Sequence, residues 1–103
     1  MKKLLSCMPH AQAHVEEYPS GRKELFSYKT MVAEISADGW LVIYGLYSPT
    51  TKRHIVAFID EQVYGIKSKD EQFRANNGTY QMMKALYEGN MKMNITTGEV
   101  VDL

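Results

Sequence analysis

A chain of 103 residues fits one domain with a single modest core, and 45% hydrophobic with 23% charged side chains is an ordinary globular composition. Twelve basic and twelve acidic side chains cancel, so no long-range field steers the chain toward nucleic acid or an anionic membrane. The lone Cys7 excludes an intrachain disulfide and fits a reducing compartment.

The opening Met1-Lys-Lys-Leu-Leu-Ser-Cys7 has the outline of a lipoprotein signal. Such a signal needs roughly 7–15 apolar residues after its charged start, and only Leu4 and Leu5 are present before Pro9, His10 and Gln12 interrupt. No run approaches the roughly 18 apolar residues of a membrane span, so the expected location is cytoplasmic and no membrane contact is expected. His14 to Tyr18 reads as a short mixed strand. The alternative is a helix from Pro9 to Tyr18, with Pro19 just past its end. His10 and His14 would then share a face at i, i+4, a spacing that chelates zinc, with Cys7 or Glu17 as a third ligand. Nothing in the spacing demands that third ligand, and histidines near a terminus are usually solvated. No metal is assigned.

Pro19-Ser-Gly-Arg22 is a turn. Lys23 to Ile35 alternates as one long strand, with Leu25, Met31, Ala33 and Ile35 on one side and Phe26, Tyr28, Thr30 and Val32 on the other. Ser36-Ala-Asp-Gly39 is a hairpin connection, since Asp-Gly tolerates left-handed backbone. Trp40 to Tyr47 returns beside it, apolar on both faces like a central strand. Ser48 is placed to cap a helix and Pro49 to begin it, and Ile55, Phe58, Ile59 and Val63 follow the helical period. The chain breaks at Tyr64-Gly65. Ser68 and Glu71 form a capping box for a short helix that carries Phe73 and Arg74 and ends at Asn76-Asn-Gly78. Thr79 is expected to cap a third helix, Tyr80 to Glu88, with Tyr80, Met83 and Tyr87 on one face beside Leu86, and Gly89-Asn90 stops it. Met91, Met93 and Ile95 alternate as a strand, and Thr96-Thr-Gly98 turns into the last residues. The fold class is therefore α+β, one domain over residues 1–103. Its antiparallel sheet has three to five strands, an N-terminal meander plus the C-terminal strand, with two or three helices mainly on one face.

The densest group of polar side chains is Tyr47, Ser48, Thr50, Thr51, Lys52, Arg53 and His54, at the strand-to-helix junction. A helix start offers free amides and partial positive charge to a small anion, and the lysine and arginine would add to it. Against this, hydroxyls at a helix start are most often caps, and a half-buried His54 is most often bonded to a neighbour. Catalysis has less support. Ser48 and Asp60 would lie at opposite ends of one helix, about 18 Å apart at 1.5 Å per residue, so Ser48, His54 and Asp60 cannot form a triad. Cys7 with His10 or His14 has no supporting motif. With no phosphate loop, dinucleotide fingerprint or zinc-finger spacing, the expectation is a protein that is not an enzyme and carries no cofactor. Tyr18, Phe26, Tyr28, Tyr44 and Tyr47 offer stacking surfaces to nucleic acid, but the basic footprint such platforms carry is missing. Met82, Met83, Met91 and Met93 would supply an adaptable apolar surface if exposed, with a homodimer as the simplest consequence.

Ser27-Tyr28-Lys29-Thr30-Met31-Val32-Ala33, followed by Tyr47-Ser48-Pro49-Thr50-Thr51-Lys52-Arg53-His54-Ile55, resembles a pattern in small uncharacterised proteins of bacteriophages and mobile elements. The resemblance covers roughly residues 14–60. It implies a small non-catalytic protein in the host cytoplasm that binds a host or phage protein. Inhibition of a bacterial defence system, as by an anti-CRISPR protein, is one concrete form.

Overall fold

The computed structural model describes residues 1–103. The chain folds into seven antiparallel strands in sequence order: β1 (Lys2–Lys3), β2 (Ala13–Glu17), β3 (Lys23–Ser27), β4 (Thr30–Ile35), β5 (Trp40–Ile43), β6 (Met91–Asn94) and β7 (Val100–Asp102). Three helices, α1 (Pro49–Tyr64), α2 (Lys69–Ala75) and α3 (Thr79–Glu88), form one excursion between the adjacent strands β5 and β6. The architecture is α+β, with more strands than the sequence implies.

One extra strand comes from the stretch Lys23–Ile35, which is a hairpin and not one strand, and the other is β1. Ser27 pairs with Thr30 across a two-residue loop, and Tyr28 takes the left-handed conformation at φ 57° that such a loop requires. A register shift beside Leu25 and Phe26 lets both Val32 and Ala33 sink into the core. The Pro9–Tyr18 helix does not form. β2 pairs with β3 along its whole length, and the His14 ring stacks on Phe26 with centroids 5.0 Å apart. His10 and His14 therefore share no helix face. Trp40–Tyr47 is also shorter than expected, ending as a strand at Ile43. Beyond it the Tyr47 ring lies against Gly45, where any side chain would overlap it.

One sheet face carries Val15, Leu25, Ala33, Ile35, Leu41, Ile43 and Met93 against the helices, and all of these are buried. Ile55, Phe58 and Ile59 of α1 meet this face as their spacing implies. Burying one such side chain contributes about 1.5–3 kcal/mol. Ser48 caps α1, accepting from the Thr51 N–H at 3.1 Å, Pro49 opens the helix, and Gly65 closes it at φ 66°. Leu5 and Cys7 close one end of the core. The Cys7 thiol donates to the Ile66 carbonyl at 3.6 Å, and burial pushes its pKa up to about 11.

Ser68 caps α2 at 3.1 Å from the Glu71 N–H, while the Glu71 carboxylate reaches Lys67 N–H, one residue beyond the usual capping box. Asn76 closes the helix, and α2 buries none of its residues. In α3 the inward face is Thr79, Met83 and Leu86, spaced i, i+4, i+7, whereas Tyr80 and Tyr87 face outward. Thr79 is therefore not a cap, and Gly78 precedes the helix without any side-chain bond. The methionines are largely core: Met83 and Met93 are buried, and Met82 and Met91 half-buried, which removes the exposed methionine surface as an argument for a homodimer.

On the open face of the sheet Glu16, Glu24 and Glu34 stand opposite one another in a row across β2, β3 and β4. Like charges in such pairs repel, and Arg22 offsets this by bridging Glu24 at 2.7 Å and Glu34 at 3.0 Å. Tyr18 donates to Glu24 and Tyr44 to Glu34.

Candidate functional site

Thr51 and His54 lie one turn apart on the inner side of α1, above Ser27 at the end of β3. Their side chains form a continuous polar run. Ser48 Oγ donates to Thr51 Oγ1 at 3.2 Å, Thr51 Oγ1 lies 3.0 Å from Ser27 Oγ, and Ser27 Oγ lies 2.8 Å from His54 Nδ1. His54 is only 1% exposed, with the Tyr28 ring 5.9 Å away. Burial, reinforced by the neighbouring Arg53 charge, holds the imidazole below its ordinary pKa of 6.5, which favours the neutral ring. Ser27 and His54 face each other as a serine and base would, but Ser27 is buried and no carboxylate bonds to the imidazole. The arrangement ties α1 to β3.

The structure thus divides the junction residues. Ser48, Thr51 and His54 are joined to one another and to Ser27, a partner hidden in an alternating strand. Tyr47 is exposed and Thr50 half-buried, and neither bonds through its side chain to this network. Lys52 and Arg53 belong to a different feature, a cleft of about 450 Å³ that Met8, Pro49 and Val56 line together with Lys52, Arg53, Lys69, Gln72 and Tyr80. That volume is within the range of ligand and peptide pockets.

The charge around this cleft is one-sided. The four carboxylates of α1 and α2 all have internal partners. Asp60 accepts from Thr79 and from Gln72 Nε2 at 2.9 Å, and Glu61 accepts from Ser6 N–H at 3.0 Å. Glu71 accepts from Lys67 N–H at 3.2 Å, and Asp70 pairs with Arg74 at 2.9 Å. Lys52, Arg53 and Lys69 have no carboxylate partner. A smaller recess of about 190 Å³ continues the cleft past Val56, Gln72 and Tyr80 to Asp60 and Asn76. Phe73, on α2 between Gln72 and Asn76, is 85% exposed. A further hollow of about 480 Å³ lies under Lys2, Leu4, His14, Tyr28 and Lys29, bounded by the N-terminal segment and the β3–β4 turn.

Sequence reasoning misses Lys69, Gln72 and Tyr80 as residues that line one cleft with Lys52 and Arg53, because tertiary packing sets that proximity. Asp60 does leave a signal. It is a carboxylate near the C-terminal end of α1, where the helix dipole disfavours it, so a partner outside the helix is needed.

A seven-strand meander with a three-helix excursion and a cationic cleft between its first two helices defines a small α+β domain. The chain belongs to a family of unknown function, DUF8033, whose model matches residues 7–77. The matched stretch contains β2 to β5, the Ser27–His54 contact and both helices that carry the cations, and ends before α3. No curated protein and no solved structure matches the chain. No helix is long and apolar enough to cross a membrane.

Proposed function

We propose that this is a non-enzymatic protein-binding module of phage or mobile-element type that docks a host or phage protein on its helical side in the cytoplasm. The observation that carries the reading is Phe73, an aromatic side chain 85% exposed on a helix that buries none of its own residues. A seven-residue helix has little stability of its own, and a covered phenylalanine would gain about 1.5–3 kcal/mol. Aromatic anchors beside a cleft are the usual centres of protein interfaces. Inhibition of a bacterial defence system such as CRISPR is the concrete form that the phage-type resemblance suggests.

Nucleic acid is the second reading, through Lys52, Arg53 and Lys69 as phosphate contacts. The sheet aromatics favour it less, because Tyr18 and Tyr44 are bonded to glutamates and the glutamate row repels phosphates. Small-anion binding at Ser48–His54 is disfavoured because those hydroxyls already bond to one another.

The test is an affinity pulldown of tagged protein from bacterial host lysate, with and without nuclease, run beside Phe73→Ala. A single stoichiometric protein that survives nuclease and is lost with Phe73→Ala is expected. Recovery that disappears with nuclease points to nucleic acid, and capture equal in both forms removes Phe73 from the function.

A further inference from the structure

The charge lining the cleft is unbalanced. Each carboxylate on the two helices that form it is occupied elsewhere, by Ser6, Lys67, Gln72, Thr79 or Arg74. Lys52 and Arg53 reach it from α1, and Lys69 reaches it from α2. No acidic side chain lines it, and Met8, Pro49 and Val56 present apolar surface among the cations. Three cations line one cleft without a carboxylate counterion, and a negative ligand complements them. A phosphate alone would meet the charge and leave the apolar lining wet. A nucleic acid strand would follow a longer basic track, whereas this cleft continues into a recess that ends at the Asp60 carboxylate.

We infer that the segment this cleft accepts is an acidic, amphipathic stretch of a partner protein, with carboxylates against Lys52, Arg53 and Lys69 and an apolar side chain against Met8 and Val56. The inference rests on the protein-binding reading and deepens it by naming the chemistry of the partner. At about 450 Å³ the cleft takes a few side chains of a short segment, and the exposed Phe73 follows the lining residue Gln72 in the chain.

The probe is a random 16-residue peptide display library selected on the immobilised full chain, followed by fluorescence anisotropy of the enriched peptides. The comparison proteins are a Lys52→Glu/Lys69→Glu pair, a Lys52→Met/Lys69→Met pair that keeps the apolar stems, and Val56→Asp. Thermal unfolding of each reports that it is folded. Enrichment of Asp- and Glu-rich peptides carrying an apolar residue is expected. Their affinity should fall at least tenfold in both lysine pairs and in Val56→Asp, and should weaken as salt rises. Neutral or basic winners, no winners, or equal binding to the variants would overturn the inference. So would an oligothymidine strand or inorganic phosphate that binds through the same lysines while the peptides do not. If Phe73-dependent capture from lysate persists while the lysine pairs change nothing, this inference falls and the binding-module reading stands. Loss of Phe73 dependence with selective acidic-peptide binding intact would leave the cleft and remove Phe73.

Discussion

Ser27 Oγ and His54 Nδ1, 27 positions apart in the chain, meet at 2.8 Å beneath the first turns of α1. This contact joins the β3–β4 hairpin to the helix that carries Lys52 and Arg53. Ser27→Ala leaves His54 Nδ1 and Thr51 Oγ1 buried without this partner, and should destabilise the protein by about 1–3 kcal/mol. Ser48→Ala, which removes only a cap and a peripheral hydroxyl, should cost about 1 kcal/mol. Urea denaturation of the two variants checks the order.

The same contact gives a pH dependence. Burial first, and Arg53 second, lower the pKa of His54 in the folded chain, so below the ordinary value of 6.5 the unfolded chain binds the proton more readily. Stability from this group is therefore fully present above about pH 6.5 and is lost as pH falls through the lower folded-state pKa. Glu24, lowered chiefly by the Tyr18 hydroxyl, acts in a separate window, with stability present above the carboxylate value of 4.5 and lost below it. The midpoint of thermal unfolding should decline from pH 7 to 5, and His54→Asn should flatten that part of the curve. An unchanged slope in His54→Asn would contradict the assignment.

Asp60 holds the three helices together, since its carboxylate on α1 accepts from Gln72 on α2 and Thr79 on α3. Asp60→Ala should cost about 1–3 kcal/mol, because the Thr79 hydroxyl is left buried and unpaired. Gln72→Ala, at a half-buried position, should cost less. Chemical denaturation measures both, and equal losses would mean that Thr79 finds another partner.

Phe58 and Phe73 separate stability from recognition. Phe58 is fully buried, and Phe58→Ala should cost about 3–5 kcal/mol. Phe73→Ala should change the denaturation midpoint by less than about 0.5 kcal/mol, as surface substitutions usually do. A large loss for Phe73→Ala would place that ring in the fold.

What the sequence reveals here is what neighbouring residues decide. The Ser48 cap, Pro49, the Ile55–Phe58–Ile59 stripe, the Ser68 cap and the Asp38-Gly39 turn are local, and all form as read. The hairpin at Tyr28 is hidden because a tyrosine occupies the left-handed position where glycine or asparagine would announce a turn. The alternation also runs across it unbroken. Thr79 has the form of a cap and is recruited by Asp60, 19 positions away. The candidate site divides along the same line. The hydroxyl and histidine contacts at one helix start are legible as local bonding, except for Ser27. The partners of Lys52 and Arg53 across the cleft depend on where α2 comes to lie, and no spacing encodes that.

Five of the six strand pairings join strands reached through short connections, and only the β5–β6 seam waits for a distant segment. Trp40 must find Asn94, and Leu41 must find Met93, after the whole helical excursion has been made. During synthesis the first five strands can assemble while the outer backbone of β5 is still unpaired, so the sheet spends its early life with an open edge. Its greatest exposure to edge-to-edge association therefore falls between the emergence of Ile43 and the arrival of Met93. A ribosome pause within the helices would prolong that interval and raise the aggregated fraction without altering the finished fold.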